Sequence, residues 1–265
     1  MNKRFSPFRL AIIALLVTGL CWLSGCATPA ASSHSEAAKS DQVLRVGVTP
    51  NMPPMIFKQS GEMTGIEADL ARQLAASMSK QVVFVELPWD DLIDALLADK
   101  IDIIMSNMSI TTARAMRVAF TQPYQHSGQS ALVRRTDVNK IQFNLFSEPY
   151  RVGVQPGTTG DFFVQQNLPK AKRKTYRTAS DGAEALIKGK IDIFIHDAPV
   201  NWWLASEHEA AGLTVVPALL TDEYLGWGVR KNDTQLLDAA NRFIEASRQN
   251  GQIEATVRRW APFAK

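Results

Sequence analysis

From residue 43 onward, apolar positions alternate between a strand rhythm and a helix rhythm. The unbroken apolar run at 43–48 reads as a buried parallel strand, and residues 66–78 carry Ile66, Leu70, Leu74 and Met78 at the spacing of one helix face. A β-branched run at 82–87, helical spacing at 92–97 and an apolar run at 101–105 continue the alternation. Strand, helix, strand, helix, strand predicts an α/β unit with a largely parallel sheet and right-handed crossovers. The scheme then returns: a strand at 151–154, a helix beginning near Thr158, a strand at 174–177, a helix at 181–188 and a strand at 191–195. Extended stretches at 129–134 and 224–230 read as crossings between the two units. Helices at 234–247 and 253–260 finish the chain and pack back on the first unit.

The residues repeat as well as the rhythm. Arg-Val-Gly-Val-Thr-Pro at 45–50 returns as Arg-Val-Gly-Val-Gln-Pro at 151–156. In the same order, Ala-Leu-Leu-Ala-Asp-Lys-Ile-Asp-Ile-Ile at 95–104 returns as Ala-Leu-Ile-Lys-Gly-Lys-Ile-Asp-Ile-Phe at 185–194. Val46 and Ile101 lie 55 residues apart, Val152 and Ile191 only 39, so the fixed period of a solenoid is absent. Two α/β lobes facing across a cleft are expected, one from 42–130 plus 226–265 and the other from 131–225. Clefts between domains are preferred sites for small molecules.

The front end changes where this globule is expected to work. Lys3, Arg4 and Arg9 precede an apolar stretch at 10–23, too short for a membrane span of about 20 residues but suited to an export signal. Leu23-Ser24-Gly25-Cys26 closes the segment 1–26 and resembles the bacterial lipobox, which implies a lipoprotein anchored through Cys26. Residues 27–41, rich in Ala and Ser, suit a tether. The two cysteines are Cys21 and Cys26, so the mature protein is expected to have no disulfide. Removing the three basic residues of the signal leaves 26 basic against 26 acidic residues, which argues against nucleic acid as a partner. The local basic run at 170–174 reads as a solvated face.

In open α/β sheets ligands gather beyond the carboxyl ends of strands. There the sequence places Ser106-Asn107-Met108-Ser109-Ile110-Thr111-Thr112-Ala113-Arg114 and Gln155-Pro156-Gly157-Thr158-Thr159, both polar entries into helices. Helix starts offer unpaired N–H groups to an anion, and Arg114 adds a fork that matches a carboxylate. His196 and Asp197 follow the strand at 191–195, and an acid there suits an ammonium group. Arg for carboxylate and Asp for amine spells an α-amino acid, although the same two residues also read as a salt bridge and a helix cap. Trp89, Tyr124 and Trp202 read either as aromatic lining or as core. The four histidines sit by no Gly-x-Ser-x-Gly elbow, no His-Glu-x-x-His occurs, and the methionines at 52, 55, 105 and 108 read as core, so no metal or cofactor is expected.

Several ordered motifs resemble the extracellular solute-binding proteins of family 3. They are Leu-Arg-Val-Gly-Val at 44–48, Pro53-Pro54, Gly-Ile-Glu-Ala-Asp-Leu-Ala at 65–71, Lys-Ile-Asp-Ile-Ile at 100–104, Ser-Ile-Thr-Thr-Ala-Arg at 109–114, Phe-Thr-Gln-Pro-Tyr at 120–124 and Val-Gly-Val-Gln-Pro-Gly-Thr-Thr at 152–159. The resemblance implies the two-lobe type II periplasmic binding fold, two hinge crossings and a monomeric receptor. That receptor closes on an amino acid or related carboxylate and presents it to an ABC permease, in the periplasm or on the outer face of a single-membrane cell. It implies Arg114 as the carboxylate clamp, Ser109 beside both charged ends of the ligand, and Asn107 through its backbone carbonyl. Thr158 and Thr159 become the second lobe's grip on the carboxylate, and Asp197 the ammonium contact. Met52 departs from the pattern, standing where many amino-acid receptors of the family carry an aromatic lid. Two further readings follow: exported cyclohexadienyl dehydratases are similar to the family and would use His196 and Asp197 as the acid, and a sensory binding module would need a separate partner.

Overall fold

The computed structural model describes residues 42–261; the export signal, Cys26 and the tether expected at 1–41 lie outside them. The chain begins with β1 (Val43–Val48) and a small antiparallel sheet of β2 (Asn51–Met52), β3 (Ile56–Gln59) and β4 (Glu62–Thr64). Then come α1 (Ile66–Ser77), β5 (Gln81–Glu86), α2 (Leu92–Leu97), β6 (Ile103–Ile104), α3 (Thr112–Ala115) and β7 (Ala119–Phe120). The chain crosses at β8 (Gln125–Ser127) into β9 (Gln129–Arg134), α4 (Val138–Asn144), β10 (Arg151–Val154), α5 (Thr159–Asn167), β11 (Lys172–Thr175) and α6 (Ala179–Ile187). β12 (Ile193–Asp197), α7 (Ala198–Glu207) and β13 (Leu213–Val215) complete that half. β14 (Glu223–Leu225) returns to β15 (Gly228–Val229), α8 (Thr234–Gln249) and α9 (Gln252–Trp260).

Two five-stranded sheets result, in the orders β5-β1-β6-β15-β7 and β11-β10-β12-β9-β13. Each is parallel at its heart, β1 between β5 and β6 and β10 between β11 and β12, and antiparallel at the strand that enters next after a crossing, β15 on β6 and β9 on β12. This is the two-lobe α/β fold that the alternation predicts.

The crossings sit elsewhere than the sequence suggests. Residues 129–134 lie within the second sheet, where β9 pairs with β12 and β13, and residues 228–229 lie within the first. The passage is made instead by β8 and β14, paired antiparallel with Tyr224 opposite His126. Apolar content misled here, because β9 is buried along most of its length while the crossing strands are polar and part-exposed. β11 begins two residues before its expected start. All four of its side chains are exposed, so its position is set by pairing Arg151 with Lys172 and not by an apolar pattern. Strands β6 and β12 both start two residues late. In each, the aspartate just before the strand takes the backbone N–H of the facing arginine, Arg45 N to Asp102 Oδ2 at 2.8 Å and Arg151 N to Asp192 Oδ2 at 2.9 Å.

Local chemistry fixes the helix starts. Thr111, Thr158, Thr178 and Asp233 each accept from a backbone N–H three residues on, a cap worth about 1 kcal/mol. α1 enters through Gly65 at φ 112°, where a Cβ would lie 2.6 Å from the Met55 carbonyl oxygen. α1 buries Ile66, Leu70 and Leu74 completely, and burial of each stabilises by about 1.5–3 kcal/mol. Helices α8 and α9 return to the first lobe as expected: Trp260 Nε1 donates to Asp69 Oδ2 at 2.7 Å, and its ring meets Phe57 edge-on at 5.6 Å. Phe57 also touches Trp203 of α7 at 5.6 Å, so apolar packing joins the lobes on that side. Among the described residues no helix is long and apolar enough to cross a membrane.

Candidate functional site

The first lobe contributes the loop that follows β6. Asn107 adopts a left-handed conformation with φ 57°, which turns the chain so that its N–H reaches Glu67 Oε2 behind the loop. Burial pushes the Glu67 carboxyl up to about 7, with the Asn107 N–H and the Tyr124 hydroxyl, 3.0 Å from Oε1, pulling the other way. The Asn107 side-chain amide is buried, and neither its oxygen nor its nitrogen finds a hydrogen-bond partner in the protein. Thr111 then caps α3, which presents Arg114. The guanidinium lies 5.1 Å from the centre of the Trp89 ring and donates to the Ser109 carbonyl at 2.8 Å. Burial depresses its proton affinity, with Asp197 and Glu223 acting in the opposite sense.

The second lobe contributes the start of α5. Gly157 takes φ 70° at the turn, where a Cβ would come within 2.5 Å of Asp90 Oδ1 in the first lobe. Thr158 spends its hydroxyl on the cap, accepting from Asp161 N at 3.3 Å and donating to the Gln155 carbonyl at 2.7 Å. Its backbone amide and that of Thr159 therefore carry what this turn can offer an anion. From the facing strand end comes Asp197, which makes no side-chain cap for α7 and instead accepts from Gln129 Nε2 at 2.9 Å. Among the described residues no ion pair joins Arg114 to an acid. Asp197 makes no side-chain helix cap, and its Oδ2 lies 3.1 Å from His196 Nδ1.

The halves meet across this gap. Arg114 Nη2 and Trp89 Nε1 both point at the Gly157 carbonyl, at 3.4 and 3.2 Å. A hollow of about 590 Å³ opens at its mouth, lined by Thr49, Asn51, Trp89, Asp90, Gln155 and Arg177, which follow the carboxyl ends of β1, β5, β10 and β11. At its floor the crossing strand β14 inserts Glu223. The Glu223 carboxylate accepts from Ser109 Oγ at 2.5 Å and from Thr159 Oγ1 at 2.9 Å, one hydroxyl from each lobe. Behind Asp197, the buried His196 stacks on Phe194 at 5.7 Å; its Nδ1 accepts from Asp197 N at 2.8 Å and its Nε2 faces Gln155 Oε1 at 3.2 Å.

Trp89 and Arg114 meet the second lobe at Gly157, and Ser109, Thr159 and Asp197 are joined through Glu223 and Gln129, while Asn107 and Thr158 make side-chain or N–H bonds only within their own lobes. Tyr124 stands apart: its hydroxyl is held by Glu67, its ring stacks on Trp227 at 5.4 Å, and its edge lines a separate hollow behind the crossings together with Trp202. Met52 is 1% exposed within the core, so this residue packs where a lid would stand in view. Glu223, Gln129 and Glu67 were missed as site residues. The signal for Glu223 is positional, an acid at the first residue of a crossing, and it is legible only once the crossing is moved from 224–230 to β14.

Comparison with known proteins agrees with this architecture. The model of the bacterial extracellular solute-binding proteins, family 3, matches residues 44–263. The histidine-binding periplasmic protein of Escherichia coli strain K12 is 31% identical over 242 residues, 88% of this chain and 92% of that protein. The ABC transporter arginine-binding protein 1 of the same strain is 29% identical over 240 residues, 87% of this chain and 96% of that protein. Among solved structures, an ancestral amino acid-binding protein described as a precursor of cyclohexadienyl dehydratase superposes with TM-score 0.77 at 33% identity, covering 86% of this chain and 99% of that one. With its two braced lobes, paired crossing strands and a sequence matched from residue 44 to 263, the chain belongs to the bacterial extracellular solute-binding proteins of family 3.

Proposed function

We propose that this protein is the receptor of an ABC importer, exported, lipid-anchored through Cys26 and monomeric, and that it carries an α-amino acid between its lobes. The lobes are 42–130 with 226–265 and 131–225, moving about the β8–β14 pair. Arg114 grips the ligand carboxylate together with the amides of Thr158 and Thr159, Asp197 takes the ammonium, and Ser109 and the Asn107 carbonyl complete the polar end. Trp89 shields Arg114 from water. Charge-assisted hydrogen bonds of this kind contribute about 1.5–3 kcal/mol each.

The observation that carries the reading is the placement of Arg114. A half-buried guanidinium with no acid paired to it reaches across to the second lobe, with Asp197 on the opposite strand end. Buried polar atoms are rarely left without partners, so the unsatisfied Asn107 amide and Gln129 Oε1 favour a polar ligand over an apolar one. Relatives named for histidine and arginine, and a solved structure with lysine bound, put basic amino acids first among candidates. Binding energy shared between lobes favours the closed form to the extent that the ligand prefers it.

The test is a thermal-shift panel of L-amino acids and small carboxylates. A ligand at about 100 times its Kd stabilises by roughly 2.7 kcal/mol, and basic amino acids are expected to give the largest shifts. No shift with any amino acid would overturn the reading. Turnover of prephenate or arogenate would favour the dehydratase reading, for which the ancestral structural relative is the motive.

A further inference from the structure

We propose that Glu223 is a positioning residue that fixes the direction of the hydroxyl protons in the cleft, so that the site presents acceptors to an ammonium and discriminates amino acids from their des-amino counterparts. The inference rests on the amino-acid reading and adds to it a residue outside the two strand ends.

The argument is a proton count. A carboxylate can only accept, and each hydroxyl has a single proton to give. Glu223 takes three such protons, from Ser109 Oγ at 2.5 Å, Thr159 Oγ1 at 2.9 Å and Thr221 Oγ1 at 2.7 Å. Ser109 Oγ is thereby left with lone pairs only. Thr159 Oγ1 accepts once from Gln129 Nε2 at 2.9 Å and keeps one lone pair. Gln129 spends its other amide proton on Asp197 Oδ1 at 2.9 Å, while Thr221 Oγ1 accepts from Gln129 N at 2.8 Å. Four of these protons end on the two carboxylates and the other two on the Thr159 and Thr221 hydroxyl oxygens, so none is left to point at a ligand. What faces a ligand is a set of acceptors, the arrangement an ammonium needs and a hydroxyl-free or apolar α-carbon cannot use.

The backbone explains why this residue can do so. Ser109 bridges to Leu225 and the Ile110 N–H reaches the Tyr224 carbonyl at 2.8 Å, so β14 runs beside the Ser109 loop. Tyr224 pairs with His126 on β8, which fixes Glu223 at the floor between the lobes. Its carboxylate also acts on Arg114, tying both ends of the ligand site to one side chain.

The experiment measures the Kd of L-arginine and guanidinovalerate, and of L-histidine and imidazolepropionate, for wild type, Glu223→Gln and Ser109→Ala by calorimetry. An amide at 223 donates to both hydroxyls and turns their protons toward the ligand. Glu223→Gln is expected to weaken the amino acids by about tenfold or more and the des-amino acids by less than about threefold. Ser109→Ala should remove part of the same discrimination, and the double variant should lose less than the two losses multiplied. Equal weakening of both members of a pair by Glu223→Gln, no weakening of either, or fully multiplicative losses in the double variant would overturn the proposal. Wild-type protein that binds neither amino acid would sink the parent reading instead, before any variant is made.

Discussion

The two lobes brace their first strands in the same way and part company at the strand ends. In the first, Arg45 donates through its N–H, Nε and Nη2 to Asp102, and through Nη1 to the Asp99 carbonyl. In the second, Arg151 repeats every one of those bonds on Asp192 and the Gly189 carbonyl. The glycine two residues on is also shared: Gly47 lies under Ile101 and Gly153 under Ile191. The echo in the sequence is therefore a repeated scaffold. The proposed ligand contacts lie where the echo stops, after β6 with Asn107, Ser109 and Arg114, and after β12 with Asp197. What is duplicated braces the strands, and what is unique is what the proposal assigns to the ligand.

The sharpest way to break this contrast is to remove one arginine of each kind. Arg114→Ala should weaken the best ligand of the thermal-shift panel by about 100-fold or more, since two charge-assisted hydrogen bonds are lost. The melting temperature without ligand should move little, because among the described residues no acid is ion-paired to the side chain, which holds two backbone carbonyls and the face of Trp89. Arg45→Ala should do the reverse, costing about 2 kcal/mol of stability, a value discounted for a guanidinium 36% exposed, with affinity unchanged. Calorimetry and thermal melts on both variants decide it. A large stability loss in Arg114→Ala would make that arginine scaffold, and the comparison would collapse.

A second contrast lies at the helix that follows the braced strand of each lobe, α1 after β1 and α5 after β10, where the same kind of group titrates in opposite senses. Among the described residues no cation stands beside Glu67 in α1, and burial raises its carboxyl to about 7. Burial also pushes Asp161 in α5 upward, but the Arg173 guanidinium, 3.0 Å away at Nη2, and the Gly157 N–H outweigh it and hold the carboxyl below its ordinary value. The native state thus binds the Glu67 proton more tightly than the unfolded chain does. The stability it contributes is full below about pH 4.5 and is lost as pH rises toward 7. Asp161 contributes above its unfolded pKa and is lost only as pH falls through its lowered folded value. Raising the pH from 5 to 7.5 should lower the melting temperature by about 5 °C, and Glu67→Gln should flatten that slope. A variant melting curve that follows wild type across the range would mean that Glu67 carries its charge throughout.

How far this could be read in advance follows from the same division. The apolar rhythm located β1, α1, α2, β10 and the closing helices to within two residues at nearly every boundary, because each of those elements has one dominant buried face. The crossings were misplaced because β8 and β14 are short and polar and are fixed by pairing with each other. Arg114 and Asp197 stood out as charged residues just past apolar strands. Glu223 did not, because its role depends on three hydroxyls from residues 109, 159 and 221, which no local pattern connects. Tyr124, which the sequence leaves open between aromatic lining and core, is buried, and a carboxyl behind the loop claims its hydroxyl.

The smallest effect tests the scaffold itself. Gly47 and Gly153 occupy equivalent positions in central strands, and a glycine in a strand interior usually marks a close approach. A Cβ at Gly47 would fall 2.2 Å from Ile101 Cδ1, the far end of a flexible side chain, and its next nearest neighbours, at 3.4 Å, belong to the same isoleucine. At Gly153 it would fall 2.6 Å from Ile191 Cδ1, but also 3.1 Å from the rings of Phe194 and Tyr176, which cannot turn aside as a methyl can. Alanine should therefore cost about 1 kcal/mol at either position, the lower end of the overpacking range, with Gly153→Ala the worse of the two. Denaturant melts resolve such a difference, and ligand affinity should be untouched in both variants. If Gly47→Ala were instead the more damaging change, Ile101 would be locked by its surroundings in a way Ile191 is not, and the two braces would no longer be mechanically equivalent.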